Sequence, residues 1–196
     1  MATEQGSGAG SPQRTDARLN RERLVAAARE VFADAGPAAS LNEIARRAGV
    51  GPGTLYRHFP NRRALLTAVL KDRILTLCAY AEKLGTADCA DDALERWLGA
   101  FLAHARANQG IGSALMVDGP GALGLDCHQL ILDAAAGLLT RAQRHGTARD
   151  DLAADDLVRL VTAIALSTAH GDDAEQAARL LDLALDAVHG APRGGR

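Results

Sequence analysis

The chain is poor in aromatic side chains, in cysteine and in unbroken apolar stretches. Six of its 196 residues are aromatic, so a core of ordinary size has to be mostly aliphatic, and the Ala/Leu-rich remainder favours helices. Cysteine occurs three times, as Cys78, Cys89 and Cys127. An odd number without C-x-x-C spacing excludes a disulfide framework and a structural zinc site and leaves reduced thiols. The longest weakly polar run, Leu160 to Ala169, falls far short of the roughly 18 apolar residues that a membrane span needs. No apolar leader stands at the N-terminus, so the expected compartment is the cytosol, with no membrane partner. Catalytic signatures are missing too: there is no G-x-S-x-G, no H-E-x-x-H, no glycine-rich phosphate loop and no alternation of strand with helix. The acidic pairs Asp91-Asp92, Asp150-Asp151, Asp155-Asp156 and Asp172-Asp173 fall at expected helix starts, where capping accounts for them. These absences exclude the common enzyme classes and give no reason to expect a metal or cofactor.

What is present is a division of charge that the net value of −2 hides. Residues 1–73 hold 12 Lys/Arg against 7 Asp/Glu, whereas the rest of the chain holds 10 against 17. A basic first third on an acidic remainder suits a protein that turns one end toward a polyanion.

The pattern along the chain is helical throughout. Residues 1–18, rich in Gly, Ser and Thr and without periodicity, read as a disordered arm whose Arg14 and Arg18 could reach DNA. Leu24, Val25, Ala28, Val31, Phe32 and Ala35 recur at helical spacing after Asn20, a plausible cap, and Gly36-Pro37 stops that helix. In "SLNEIARRAG", Ser40 and Glu43 have the spacing of a capping box, and Gly49 ends the helix after about two turns. Gly51 and Pro52 then open a third short helix that reaches His58, and Pro60-Asn61 opens a fourth. Two short helices across the tight turn Ala48-Gly49-Val50, with Ile44, Ala45, Val50 and Leu55 spaced to pack, describe a helix-turn-helix whose second helix can enter a major groove. Thr54, Tyr56, Arg57 and His58 then supply hydroxyl, guanidinium and imidazole donors suited to phosphates and base edges. Arg62 adds a cation at a helix start that already favours anions.

The run from "RERLVAAAREVFADAG" through "SLNEIARRAGVGPGTLYRHFPNRRALLTAVL" resembles the N-terminal DNA-binding domain of the TetR family of bacterial transcriptional regulators, over about residues 20–70. The resemblance implies that Ser40, Thr54, Tyr56, His58 and Arg62 contact phosphates, and that Gly51, Pro52, Gly53 and Arg57 lie near phosphates or bases. Gly51 departs from the family's usual serine and Arg63 from its usual acidic residue. Implied with it are an all-α fold, a basic domain at 19–70, an effector-binding and dimerisation domain at 71–190 and a disordered tail at 191–196.

For the second domain the sequence pattern predicts a fourth helix running on to about Leu84, then a fifth helix opened by Asp92 and Glu95 as a capping box. A short helix follows around Gly112 to Val117, then helices over about Asp126–His145, Ala154–Ala169 and Asp173–His189. The last two carry more apolar surface than one core contact requires, through Leu160 to Leu166 and through Leu183 and Ala187. Either they complete a monomer's core, or, as the resemblance implies, they form a homodimer interface that spaces two recognition helices one DNA turn apart. Trp97, Phe101, His104, Met116, Cys127, His128 and His170 are the groups that could line an effector pocket. Trp97 and Phe101 equally fit a plain core stripe, and adjacent Cys127 and His128 make a poor metal pair. The function expected is a repressor-type regulator on double-stranded DNA released by an organic effector. The alternative is a helical ligand-binding or adaptor protein with a degenerate DNA-binding domain.

Overall fold

The computed structural model describes residues 12–86, 91–108, 127–169 and 173–189. Among the described residues there are eight helices and no strand: α1 (Pro12–Ala35), α2 (Leu41–Arg47), α3 (Pro52–His58), α4 (Arg62–Gly85), α5 (Asp91–Ala107), α6 (Cys127–Arg144), α7 (Ala154–Ser167) and α8 (Ala174–His189). The all-α expectation holds. The chain divides into two compact units, Met1–Val69 and Leu70–Arg196, with the division falling inside α4.

In the first unit, α1 buries Leu24, Ala28, Val31 and Phe32, α2 buries Ile44 and Ala45, and α3 buries Leu55, with Phe59 just beyond it. Each of α2 and α3 has only seven residues, too few for a stable helix in water, so both depend on that shared burial. The turn between them is closed at Gly49, whose φ of 69° places it in the left-handed region where a side chain would be strained. Val50 N donates to Ala45 O at 3.0 Å and Gly49 N to Arg46 O at 3.1 Å, the paired bonds of a Schellman stop.

Two sequence readings of the first unit are corrected. Residues 12–18 are not an arm but the first turns of α1, which starts at Pro12 and contains Asn20 in its interior. Proline pre-sets the backbone for a first helical turn, and Arg18 reaches Glu22 one turn on at 3.2 Å. The Ser40–Glu43 box does not form either. Ser40 makes no side-chain cap bond, and Glu43 turns to Arg46 and Arg47, at 2.7 and 3.1 Å. Those guanidinium groups hold its carboxyl below the usual range, and two cations one turn along the helix compete with the cap for the same carboxylate. Asn61, by contrast, caps α4 as expected, its Oδ1 accepting from Ala64 N at 2.9 Å. The expected arm at residues 1–11, the tail at 191–196 and the short helix around Gly112 lie outside the described residues.

In the second unit α5 is the centre of the core. Trp97 is fully buried, stacks on Phe101 with ring centroids 5.5 Å apart, and donates from Nε1 to Leu77 O at 3.2 Å. Around it pack Leu84, Leu94, Leu98, Leu138, Val161 and Leu181. Asp92 lies inside α5 rather than at its cap, and Glu95, the expected box partner, reaches His189 of α8 at 3.2 Å instead. Arginines bind helix ends: Arg106 Nη1 donates to Thr168 O at 2.7 Å and Arg141 Nη1 to Leu84 O at 3.0 Å, satisfying carbonyls that the helices cannot.

Since Trp97 is the only tryptophan, it reports its own environment. Trp97→Ala is expected to cost about 3–5 kcal/mol through the cavity it leaves, measured as a lower urea midpoint. In the parent protein, indole emission should shift to longer wavelength at the same midpoint as loss of helical circular dichroism in the second unit.

Candidate nucleic-acid interface

The first unit presents α3 as a two-sided element. Leu55 and Phe59 are 1% and 2% exposed, whereas Tyr56 is 50% exposed. Gly51, Pro52, Gly53 and Arg57 are exposed with Tyr56, while Thr54 and His58 are half-buried at the margin. The expected DNA-facing residues of α3 therefore come together on one surface of the unit, with Ser40 exposed at the start of α2. A Cβ added to Gly51 or Gly53 would meet nothing within 4 Å, so neither glycine is required by packing inside the unit. What their small size provides is close access to the backbone from outside, the geometry a phosphate can use.

The cations on this surface divide by what they already do. Arg57 folds back along its own helix, donating from Nη2 to Thr54 Oγ1 at 2.9 Å and from Nε to Gly53 O at 3.3 Å. These bonds are exposed and cheap to exchange for a base edge. Arg62 differs. Half-buried, it donates from Nη1 to Pro37 O at 3.0 Å and to Ala39 O. It therefore ties the loop between α1 and α2 to the start of α4, a structural role that the sequence reading did not assign. Arg21 was missed entirely: its guanidinium lies 5.2 Å from the centroid of the Phe59 ring, which brings a cation of α1 beside the end of α3. No local motif could have revealed a contact between residues so far apart in the chain.

Of the candidate effector residues, Trp97 and Phe101 stack on each other and are core, as the plain-stripe reading has it. His128 is exposed at the start of α6, and Met116 and His170 lie outside the described residues. His104 is half-buried at the end of α5, where its carbonyl accepts from Asn108 Nδ2 at 2.8 Å, and Asn108 Oδ1 accepts from Arg73 at 2.6 Å. Burial, and then the positive charge of Arg73, lower its pKa to about 4. Among the described residues a groove of about 410 Å³ opens between α4 and α6, lined among others by Cys78, Glu82, Asp133, Gly137 and Arg141. Among the described residues no group of three or more His, Cys, Asp or Glu could hold a metal ion, and no helix is long and apolar enough to cross a membrane.

Known proteins resemble the chain over both units. Residues 24–69 match the model of bacterial regulatory proteins of the tetR family, and residues 90–189 match that of the C-terminal domain of SbtR-like transcriptional regulators. The crystal structure of the TetR transcriptional regulator SCO0520 from Streptomyces coelicolor is 37% identical, with a TM-score of 0.76 over 86% of this chain and 98% of that one. A TetR regulatory protein from Mycobacterium vanbaalenii is 31% identical, with a TM-score of 0.74 over 91% of this chain and all of that one. The HTH-type transcriptional regulator UidR of Escherichia coli K12 is 38% identical over 72 residues, which is 36% of this chain and 37% of UidR. The chain thus matches well under two thirds of that curated relative's length.

Arg62→Ala should lower the stability of the first unit by about 1–3 kcal/mol, because two loop carbonyls lose a charged donor; Arg57→Ala should leave it within about 0.5 kcal/mol. Urea unfolding followed by circular dichroism distinguishes the two roles. For His104, the folded chain protonates near 4 and the unfolded chain near 6.5. Between those values only the unfolded state gains the proton, so the folded state's advantage is complete above about pH 6.5 and is lost as pH falls toward about 4. The loss should be on the order of 3 kcal/mol, and His104→Gln should flatten that part of a stability–pH curve.

Proposed function

The chain belongs to the TetR family of bacterial transcriptional regulators, and from that membership we propose that it binds a palindromic DNA operator as a homodimer, represses transcription there and lets go when an organic effector occupies its second unit. The observation that carries the DNA-binding part is the two-sidedness of α3: Leu55 and Phe59 are buried while Gly51, Pro52, Gly53, Tyr56 and Arg57 face solvent. A helix held that firmly from behind can offer its other side to a major groove without unfolding. Ser40, Thr54, His58 and Tyr56 are hydroxyl and imidazole groups at the edge of that surface, suited to phosphates. Arg57 is the side chain best suited to a base, since a guanidinium can bond guanine O6 and N7 together.

Two copies are needed for useful specificity, because one short helix makes few contacts. The surface proposed to join them lies on α7 and α8, where Leu160, Leu166 and Leu183 are 43%, 61% and 65% exposed. Burying leucines that face water in a monomer is the usual driving force for such an association. A twofold pair would set the two α3 helices about 34–36 Å apart, one turn of DNA. The effector signal would pass along α4, which belongs to both units. In this reading the protein works in the cytosol as a binding protein and catalyses no reaction.

Fluorescence anisotropy with DNA from upstream of the gene, at two salt concentrations, tests the reading. Six to ten phosphate contacts should give a log–log slope of roughly −5 to −9; a slope near zero would favour a helical adaptor with a degenerate DNA domain. Tyr56→Ala should weaken all sequences alike, whereas Arg57→Ala should cost about 1–3 kcal/mol on the operator and relax discrimination at one base.

A further inference from the structure

The groove between α4 and α6 is made by two facing stripes. Cys78, Ala81 and Glu82 recur at helical spacing on α4; Ala134, Gly137 and Arg141 do so on α6. Its depth comes from small residues. Gly137 lies in the interior of α6, where glycine costs about 0.5–1 kcal/mol relative to alanine, yet a Cβ built on it meets nothing within 4 Å. Among the described residues no packing partner accounts for the missing side chain. The space of about 410 Å³ is within the range of small-molecule sites.

The walls are not neutral. Glu82 and Asp133 both line the groove and both are exposed. Among the described residues neither is in an ion pair, and the bond recorded for Asp133 is one accepted from Gln129 Nε2 at 2.8 Å. The cation on the lining, Arg141, is turned to the end of α4, where Nη1 donates to the carbonyls of Leu84 and Gly85. Burial first, then the charge of Glu82 and later that of Asp133, raise the Cys78 thiol above its ordinary value. Both carboxylates are therefore within electrostatic reach of Cys78, which stays a neutral part of the wall. The result is an apolar floor under two carboxylates.

We propose that this groove binds an amphipathic amine, with the protonated nitrogen held between Glu82 and Asp133 and the apolar body lying over Ala81, Ala134 and Gly137. The proposal rests on the regulator reading only for its consequence, release of DNA, because capture of the amine can be measured without DNA. Isothermal titration of the full chain with phenylbutylamine, phenylbutyrate and phenylbutanol compares one skeleton in three charge states. The amine should bind at least about tenfold more tightly than the acid or the alcohol. Replacing both Glu82→Gln and Asp133→Asn should erase that preference. Gly137→Leu should abolish amine binding while leaving the melting temperature equal or higher, since leucine is the better helix former. Preference for the acid, equal binding of all three, binding of none, or amine binding that survives Gly137→Leu overturns the proposal. Amine binding by a protein that fails to bind DNA would instead overturn the regulator reading and leave this one standing.

Discussion

A helix of seven residues does not persist in water by itself, and α3, the helix proposed to face DNA, has only seven. Everything that helix can do depends on the aliphatic contact behind it. Leu55 and Ile44 are buried to within 1% of completely, and the burial of two such side chains contributes roughly 3–6 kcal/mol. Ordering seven residues costs more than that, so α3 persists only with the further contacts that α1 and α2 supply as a platform. The left-handed turn at Gly49 then fixes the direction in which α3 leaves α2. Tyr56 and Arg57 are exposed as a consequence of which side chains were buried, not through any interaction of their own.

The same economy recurs in how arginine is used. In both units guanidinium groups bind the carbonyls at loop and helix ends: Arg62 at Pro37 and Ala39, Arg141 at Leu84 and Gly85, Arg106 at Thr168. Five fixed donors on a long stem suit this work, since the stem covers apolar surface while the fork reaches several acceptors. A count of basic residues in the first third therefore overstates the charge available to a polyanion. Arg57 and Arg21 lie exposed on the surface, whereas Arg62 has a bond network to give up before it could turn to a phosphate.

In the second unit the large rings serve packing. Its largest ring system, Trp97 on Phe101, is buried in the core and hydrogen-bonded to Leu77, so the residues that look most like a ligand box from composition are those that hold the unit together. The open groove lies instead where α4 and α6 meet with small side chains between them. Leu130, Ile131, Ala134, Leu138 and Leu139 recur at the spacing of one helical face. In the structure Leu138 and Leu139 are buried, while Leu130, Ile131 and Ala134 are half-buried, because the core side of α6 runs through Ala135 and Ala142, small residues that carry little weight in an apolar pattern.

The amino-acid sequence by itself determined the helices and their stops, the helix-turn-helix and the residues on its outer side, because those follow from local rules: 3.6-residue periodicity, proline at first turns and glycine at left-handed ones. It misjudged the start of α1 and the partners of Glu43 and Glu95, whose carboxylates turn to Arg46, Arg47 and His189 instead of to a helix start. Tertiary structure alone decided that Arg62 braces a loop, that Arg21 sits beside Phe59, that Trp97 is core and that the groove opens at Gly137. Each of these joins side chains from different helices, and no spacing within one helix encodes the distance between two.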